Sequence, residues 1–227
     1  MSKQTVCILL AFLLGSMVSA APAGADYYTL TLPTLDTDIA TWSDGGTYNL
    51  YFPGSHTWNG VPFVLENRTP GNYKASISSL TIPVGVYGVT EAYTIINTAW
   101  GTYGAVVGKV EFNGTGGAYY SMDLTEGINV RDHYWGSFNN VIDGIHAKGC
   151  FDYGSWRARL DMQIFTLPAE FAHETLLNMV FTNSGGYPQG SPFIAAATVS
   201  AIPLPGTLLL LGSGLLGVAA LKKRSAG

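Results

Sequence analysis

Short apolar or alternating segments, separated by turn residues, run through most of the chain. They occupy residues 48–52, 61–65, 76–82, 92–97, 105–112, 118–124, 156–165 and 176–182. Segments of this length between Gly, Asn and Pro are typical of β-strands. No long segment has the 3.6-residue period of a helix, and only 168–174 favours a helical turn, with Pro168 near its start. The pattern predicts an all-β fold, with a single jelly-roll or β-sandwich domain over residues 26–201.

One segment predicts which side chains face inward. In 157–165, Leu160, Met162 and Ile164 share one strand face, and Arg157, Arg159, Asp161 and Gln163 share the other. This alternation predicts a strand with one buried face and one face in water. Glycine-rich breaks at residues 44–46, 113–117 and 183–186 predict tight hairpins, because such turns require positive φ angles.

Both ends of the chain carry targeting patterns. Lys3 precedes an uncharged apolar run over 6–18 and small residues over 19–25, which is typical of a secretory signal peptide over residues 1–25, with Asp26 first after cleavage. Near the other end, residues 202–221 are uncharged and long enough to cross a hydrocarbon core of about 30 Å as a transmembrane helix. Three cations follow directly. By the positive-inside rule the domain between the two patterns lies outside the cytoplasm.

The C-terminal pattern also resembles a known sorting signal. A proline motif, a leucine run, small residues and a basic cluster follow one another over residues 202–227. The motif and cluster are Pro203, Leu204, Pro205, Gly206, Lys222, Lys223 and Arg224. Together they resemble the PEP-CTERM signal of Gram-negative bacteria, in the variant whose core reads Val-Pro-Leu-Pro. The resemblance implies processing by an exosortase, a membrane cysteine protease, near the proline motif, and delivery to the cell surface or extracellular matrix. The alternative is a plain anchor with a glycine-rich packing face.

The charge of the domain limits its possible binding partners, and its cysteine content excludes an internal disulfide. Residues 26–201 hold fifteen acidic residues against seven lysines and arginines, a net charge of −8. Nucleic acids and anionic lipids are poor partners for such a surface. Cys150 is the only cysteine after removal of the signal peptide, so the domain forms no internal disulfide and depends on its core.

The domain itself is similar to galactose-binding-like, extracellular jelly-roll domains. The similarity rests on blocks at residues 58–63, 85–89, 93–101, 111–114, 129–133 and 159–163. It implies ligand binding by loops at one edge of the sandwich, a structural calcium ion that is common among relatives, and no bond-breaking chemistry.

Residues 131–135 are the strongest candidate for specific recognition. The candidate ligand-binding residues are Arg131, Asp132, His133 and Trp135, with Trp58 and Trp100. Carbohydrate sites use planar polar groups for sugar hydroxyls and aromatic rings for C–H faces. In the alternative interpretation, an Arg131–Asp132 ion pair pins a loop, and Tyr134 and Trp135 belong to the core.

The sequence gives little support for catalysis or a metal. The carboxylates available to a glycosidase-type pair are Glu111, Glu126, Asp132, Asp143, Asp152 and Asp161. We expect Glu111 and Asp161 instead to lie on solvated strand faces. There is no Gly-x-Ser-x-Gly motif, and the four histidines lack zinc-binding spacing. We therefore expect no catalytic residue and no cofactor, although a structural calcium ion near Asp36, Asp38 and Asp44 stays open.

These observations predict an exported, non-catalytic surface or matrix protein. Its partners would be an exosortase-type protease, the membrane through the C-terminal helix, and carbohydrate or exopolysaccharide, with no nucleic acid. Two alternatives remain: a purely structural biofilm-matrix protein without a pocket, and a polysaccharide hydrolase with an unrecognised carboxylate pair.

Overall fold

The computed structural model describes residues 24–33, 53–65, 79–152 and 158–203. This part of the chain contains eleven strands and one short 3-10 helix. The strands are β1 (Asp26–Leu30), β2 (Gly54–Trp58), β3 (Val61–Leu65), β4 (Ser79–Tyr87), β5 (Val89–Ala99), β6 (Val106–Gly114), β7 (Tyr119–Thr125), β8 (Ala147–Asp152), β9 (Arg159–Thr166), β10 (Thr175–Asn183) and β11 (Ser191–Ala201). The 3-10 helix, Ala169–His173, lies between β9 and β10.

The strands form two packed antiparallel sheets and a separate hairpin. The first sheet has the order β1-β11-β5-β9-β8, and the second has the order β4-β10-β6-β7. Consecutive strands alternate between the sheets along much of the chain, an arrangement compatible with a jelly roll. The predicted all-β sandwich is thus confirmed.

The main core lies between the two sheets. Strand β10 shows how the sequence builds it, because Leu176, Met179 and Phe181 are fully buried while Leu177, at the bulge in the ladder, is exposed. These side chains meet inward-facing residues of the first sheet. Such alternation is expected of a strand with one face on the core.

The β2–β3 hairpin covers the outer face of the first sheet. Asn59 and Gly60 both have positive φ, 51° and 83°, as a two-residue hairpin turn requires. The hairpin is tied to β11, where the Thr198 hydroxyl donates to the Pro62 carbonyl over 2.6 Å. Its Phe63 side chain packs in a second core with Phe193. The first sheet is therefore buried on both faces at its centre.

The prediction that one face of β9 is wet is wrong. Arg159, Asp161 and Gln163 are fully buried. The segment that follows β7 covers them, and the Gln163 amide donates to the Asn129 carbonyl over 3.0 Å. The alternation of polar and apolar residues along a strand shows which face is polar, but not whether that face is in contact with water. In β9 the polar face is in contact with polar groups of the protein.

Other sequence predictions can be compared with these elements. The helical turn after Pro168 is present as the 3-10 helix, and the 113–117 break is the β6–β7 turn. The predicted hairpin at 183–186 is wrong, because β10 and β11 belong to different sheets. Strands β1, β2, β8 and β11 were missing from the prediction. The predicted strand at 48–52 lies outside the described residues.

The sandwich has two ends, a loop end and a tail end from which the C-terminal segment continues. The loop end comprises residues 100–105, 126–140 and 184–190. These segments are bonded to one another, for example from the Thr102 amide to the Gln189 carbonyl over 2.9 Å. The tail end comprises residues 87–88, 114–118, 167–174 and 201–203. Strand β11 runs from one end to the other, since Ser191 pairs with Ala99 and Ala201 pairs with Val89.

Candidate functional site

Three aromatic side chains are exposed at the loop end. Trp100 is 45% exposed, Tyr103 71% and Tyr187 72%. The Trp100 and Tyr187 rings meet edge to face with their centroids 6.0 Å apart. The Tyr103 ring lies so close to Gly127 that a Cβ there would overlap it. The loop end thus presents large ring surfaces to solvent without a hydrophobic cover.

The loops that carry these rings are joined by hydrogen bonds. The Thr102 hydroxyl donates to the Pro188 carbonyl over 2.6 Å. The Gly104 amide donates to the Glu126 carbonyl over 2.9 Å, and the Asn139 amide donates to the Gly101 carbonyl over 2.7 Å. The three loop segments therefore form one connected unit.

Trp100 has an unusual backbone conformation. Its φ of 65° lies in the left-handed region, which costs a residue with a Cβ on the order of 1–2 kcal/mol. The Asp132 carboxylate holds it there, accepting the Trp100 amide over 2.6 Å and the Tyr134 amide over 2.7 Å. Burial raises the pKa of Asp132 to about 6, because its charged form is poorly solvated. The Asp132 side chain therefore fixes the backbone conformation of the exposed Trp100.

Glu126 lies beneath the same loops and is fully buried. Its carboxylate accepts hydrogen bonds from the Thr98 hydroxyl and from the side-chain amide (Nδ2) of Asn139, the latter over 2.6 Å. A Cβ at Gly101 would overlap this carboxylate, and one at Gly190 would come within 2.7 Å of it. Burial raises the pKa of Glu126 to about 7. Glu126 thus contacts all three segments of the loop end.

Arg131 pairs with Asp161, not with Asp132 as the ion-pair interpretation had it. The guanidinium makes a bidentate pair to the carboxylate, with Nε to Oδ2 at 2.8 Å and Nη2 to Oδ1 at 2.6 Å. The Asn97 amide also donates to Asp161 over 2.6 Å. Because Asp161 is fully buried, this pair attaches the loop to the first sheet, and Asp161 is not on a solvated face.

Arg159 joins the rest of the 131–135 segment to the sheet. Its Nε donates to the Asp132 carbonyl over 2.8 Å, and its guanidinium carbon lies 5.1 Å from the centroid of the Trp135 ring. His133 is buried edge-on against Phe193, with centroids 5.6 Å apart. Burial, with Arg159 nearby, lowers the pKa of His133 to about 3, so its imidazole is neutral at physiological pH.

Trp58 has different surroundings. It lies on the β2–β3 hairpin, stacked on His56 with ring centroids 4.8 Å apart, and 6.2 Å from the Phe151 ring. Among the candidate binding residues, the structure brings Trp100 and residues 131–135 together at the loop end. A role for Trp58 in binding stays a prediction.

The sequence interpretation missed Tyr103 and Tyr187 as candidate site residues. Both were detectable, because each stands among glycines or next to proline, in Gly101-Thr102-Tyr103-Gly104 and Gly186-Tyr187-Pro188. An aromatic ring in such a loop has no strand face through which to enter the core. The neighbourhood of Glu126 depends on residues distant in sequence, so no local signal indicated it.

Within the described ranges, no three His, Cys, Asp or Glu side chains are grouped so that they could hold a metal ion. Asp36, Asp38 and Asp44 lie outside those ranges. The calcium hypothesis therefore stays a prediction.

Comparison with known proteins concerns the C-terminal segment. A family model described as the PEP-CTERM protein-sorting motif matches residues 201–224. The chain carries a PEP-CTERM sorting signal. The match contains the proline motif at Pro203 and the basic cluster ending at Arg224, and it begins at the last residue of β11. No curated protein matches the chain.

Such signals are processed by exosortases, so the motif indicates a protein that is exported and sorted by an exosortase, with a sorting signal that is anchored in the membrane. Residues 204–227, with most of the predicted transmembrane helix, lie outside the described residues, as do residues 1–23 of the predicted signal peptide. No helix in the described part of the chain is long and apolar enough to span a membrane.

Proposed function

We propose that the sandwich is a non-catalytic, glycan-binding domain of a cell-surface or matrix protein, and that the loop end binds the glycan. The observation that carries this proposal is the exposed Trp100 ring, held in a left-handed backbone conformation by the buried Asp132 carboxylate. Strain of this kind persists only where the surrounding structure enforces it, and it concentrates at ligand sites.

The chemistry of the exposed rings suits a sugar. Pyranose rings present C–H faces that stack on tryptophan and tyrosine, while the phenol hydroxyls of Tyr103 and Tyr187 can exchange hydrogen bonds with sugar hydroxyls. The two phenol rings are more than two-thirds exposed. Binding would therefore cover apolar surface that is already formed in the free protein, which reduces the entropic cost of ordering.

The predicted site residues take separate roles in this proposal. Trp100 contacts the glycan directly. Asp132 positions Trp100 through its amide, Arg131 fixes the loop through Asp161, and His133 and Trp135 support the loop from below. Asp132 and His133 are almost fully buried, so we expect their substitution to act through loop geometry.

The burial of the carboxylates favours binding over hydrolysis. A glycosidase needs two carboxyl groups facing the scissile bond. Glu126 and Asp132 have raised pKa values, as a general acid does, but both face backbone and side-chain donors of the protein. A glycan on the loop end would lie above them.

A glycan array probed with the processed protein, purified after export, tests the proposal. We expect binding to a subset of glycans, with a loss of at least tenfold in affinity for Trp100→Ala. Tyr87→Phe, at the tail end, is the matched control and should bind like the wild type.

The other outcomes decide between the alternatives. Sugar release from the array or from extracellular polysaccharide would support the hydrolase. A blank array, together with no binding to extracellular polysaccharide from the producing bacterium, would support a purely structural matrix protein. Undiminished binding by Trp100→Ala would show that the loop end is not the site.

A further inference from the structure

The sorting signal begins inside the folded domain. Ala201, the first residue of the matched motif, is the last residue of β11 and is 2% exposed. It pairs with Asp26 of β1 and with Val89 of β5. The next amide, of Ile202, donates to the Gly88 carbonyl over 3.0 Å. The motif therefore follows the sandwich without a linker.

The connection to the membrane is short. The uncharged run starts at Ile202, directly after β11, and its leucine-rich part starts at Leu208, so at most residues 202–207 separate the sandwich from the membrane. Six residues reach about 20 Å at most, at about 3.3–3.6 Å per residue when fully extended. Strand β11 has eleven residues, so it spans roughly 35 Å at about 3.3 Å per residue. The connection is shorter than the sandwich.

The direction of β11 then decides which end of the sandwich is near the membrane. The strand starts beside the loop end, where Ser191 pairs with Ala99, and finishes at the tail end, where Ala201 pairs with Val89. A sandwich attached by about 20 Å of chain at its tail end cannot stand on its loop end, which lies roughly 35 Å away along β11.

The surface of the tail end fits a position at the headgroups. Tyr28 of β1, which pairs with Val199 near the end of β11, Tyr87 beside Gly88, and Ile202 are each more than 40% exposed. Tyrosine is enriched at the membrane–water interface, where its ring is apolar and its hydroxyl stays hydrated. Asp26 and Glu170 are also exposed there, so anionic lipid is not the attraction, and the covalent anchor holds the domain.

We propose that, while the sorting signal anchors the chain, the tail end lies against the membrane headgroups and the loop end points away from the membrane. The short connection sets this orientation. The inference does not depend on glycan binding, and its test contains no glycan, so the two proposals can fail separately.

Energy transfer in proteoliposomes tests the orientation. Protein that lacks the predicted signal peptide but keeps the sorting signal (residues 26–227), with Cys150→Ala, is reconstituted into phosphatidylethanolamine–phosphatidylglycerol vesicles that carry an acceptor dye on the headgroups. A donor dye is attached through Glu170→Cys at the tail end or Gln189→Cys at the loop end, both at exposed positions. Circular dichroism verifies the fold of each variant.

We expect clearly stronger transfer from position 170 than from position 189. Equal transfer, or stronger transfer from position 189, would overturn the orientation. Insertion of a twenty-residue Gly-Ser linker between Ile202 and Pro203 should remove most of the difference, because such a linker spreads over roughly 25 Å. An unchanged difference with the linker would overturn the role of the short connection.

Discussion

The loop end and the tail end of the sandwich are held together by different forces. The loop end rests on buried ionisable groups, with Glu126, Asp132 and the Arg131–Asp161 pair beneath exposed aromatic rings. The tail end is closed mainly by backbone hydrogen bonds, such as those from the Gly88 amide to the Glu174 carbonyl and from the Ile202 amide to the Gly88 carbonyl.

This difference indicates that the loop end holds its side chains in fixed positions, whereas the tail end only closes the sandwich. Backbone hydrogen bonds close a turn at little cost, whereas a buried charge is costly unless it is paired and fully hydrogen-bonded. The loop end therefore contains more costly interactions than closure of the sandwich requires. Fixed positions for the aromatic rings explain why those interactions are there. The predictions below change residues that support the loop end, and two of them include a matched change at the tail end.

The largest expected effect follows removal of the Asp161 carboxylate. Asp161→Ala removes the buried carboxylate that accepts from the Arg131 guanidinium and from the Asn97 side-chain amide, and breaking a buried pair in this way costs about 3–5 kcal/mol. The matched tail-end change is Glu174→Ala, whose carboxylate accepts the Ala118 amide near the surface, and we expect a loss of about 1 kcal/mol. Urea unfolding measures both. Equal losses would remove the distinction between the two ends.

A pH-dependent effect is expected at Glu126. Its pKa is raised from 4.5 to about 7, so the folded state binds more protons than the unfolded state between these values. Its contribution to stability therefore falls as pH rises through this window. Relative to wild type, Glu126→Gln should gain up to about 3 kcal/mol at pH 8 and nothing at pH 4.5.

Thermal or urea unfolding from pH 4.5 to 8 measures this difference. His133 acts in the opposite direction, because its lowered pKa makes the fold lose stability as pH falls below about 6.5. The comparison is therefore made between variant and wild type at each pH, where the His133 contribution cancels. A pH-independent difference would show that Glu126 does not titrate in this range.

A double-mutant cycle tests the contact between Gly101 and Glu126. Gly101→Ala introduces a Cβ that overlaps the carboxylate, and Glu126→Ala removes the overlap. We expect a coupling free energy of about 1–2 kcal/mol between the two changes. Gly88→Ala at the tail end, where a Cβ would meet only ordinary contacts at 3.6 Å, should show no coupling to Glu126→Ala.

The smallest effect concerns the backbone strain at Trp100. Trp100→Gly and Trp100→Ala both remove the ring, but only glycine adopts a φ of 65° without cost. We expect the glycine variant to be more stable than the alanine variant by about 1 kcal/mol, with glycan binding lost in both. Denaturant unfolding compares them, and an alanine variant as stable as the glycine variant would argue against the strain.

Local patterns predicted much of the fold. Strand β3 was predicted with its observed bounds, and the turn after Pro168 was found, because both depend on neighbours in sequence. Strand β8 was missed because its sequence, Ala-Lys-Gly-Cys-Phe-Asp, has no β-branched residue. The burial of Arg159 and Asp161 could not be predicted, because it depends on a distant segment folding over β9.

The candidate site was predicted in outline. Residues 131–135 and Trp100 do lie together, yet most of the polar side chains among them face the protein, and the additional exposed rings belong to Tyr103 and Tyr187. Residue type indicated recognition chemistry, but only the register of β5 with β11 brings loops 100–105 and 184–190 side by side. The sorting signal was predictable because it is read from contiguous sequence.

Hydrogen exchange with extracellular polysaccharide from the producing bacterium is the most direct test of the separation between the two ends. With polysaccharide present, we predict slower exchange in residues 100–105 and 184–190 and unchanged exchange in residues 87–88 and 167–174. Protection confined to the tail end, or no protection anywhere in the sandwich, would contradict the account.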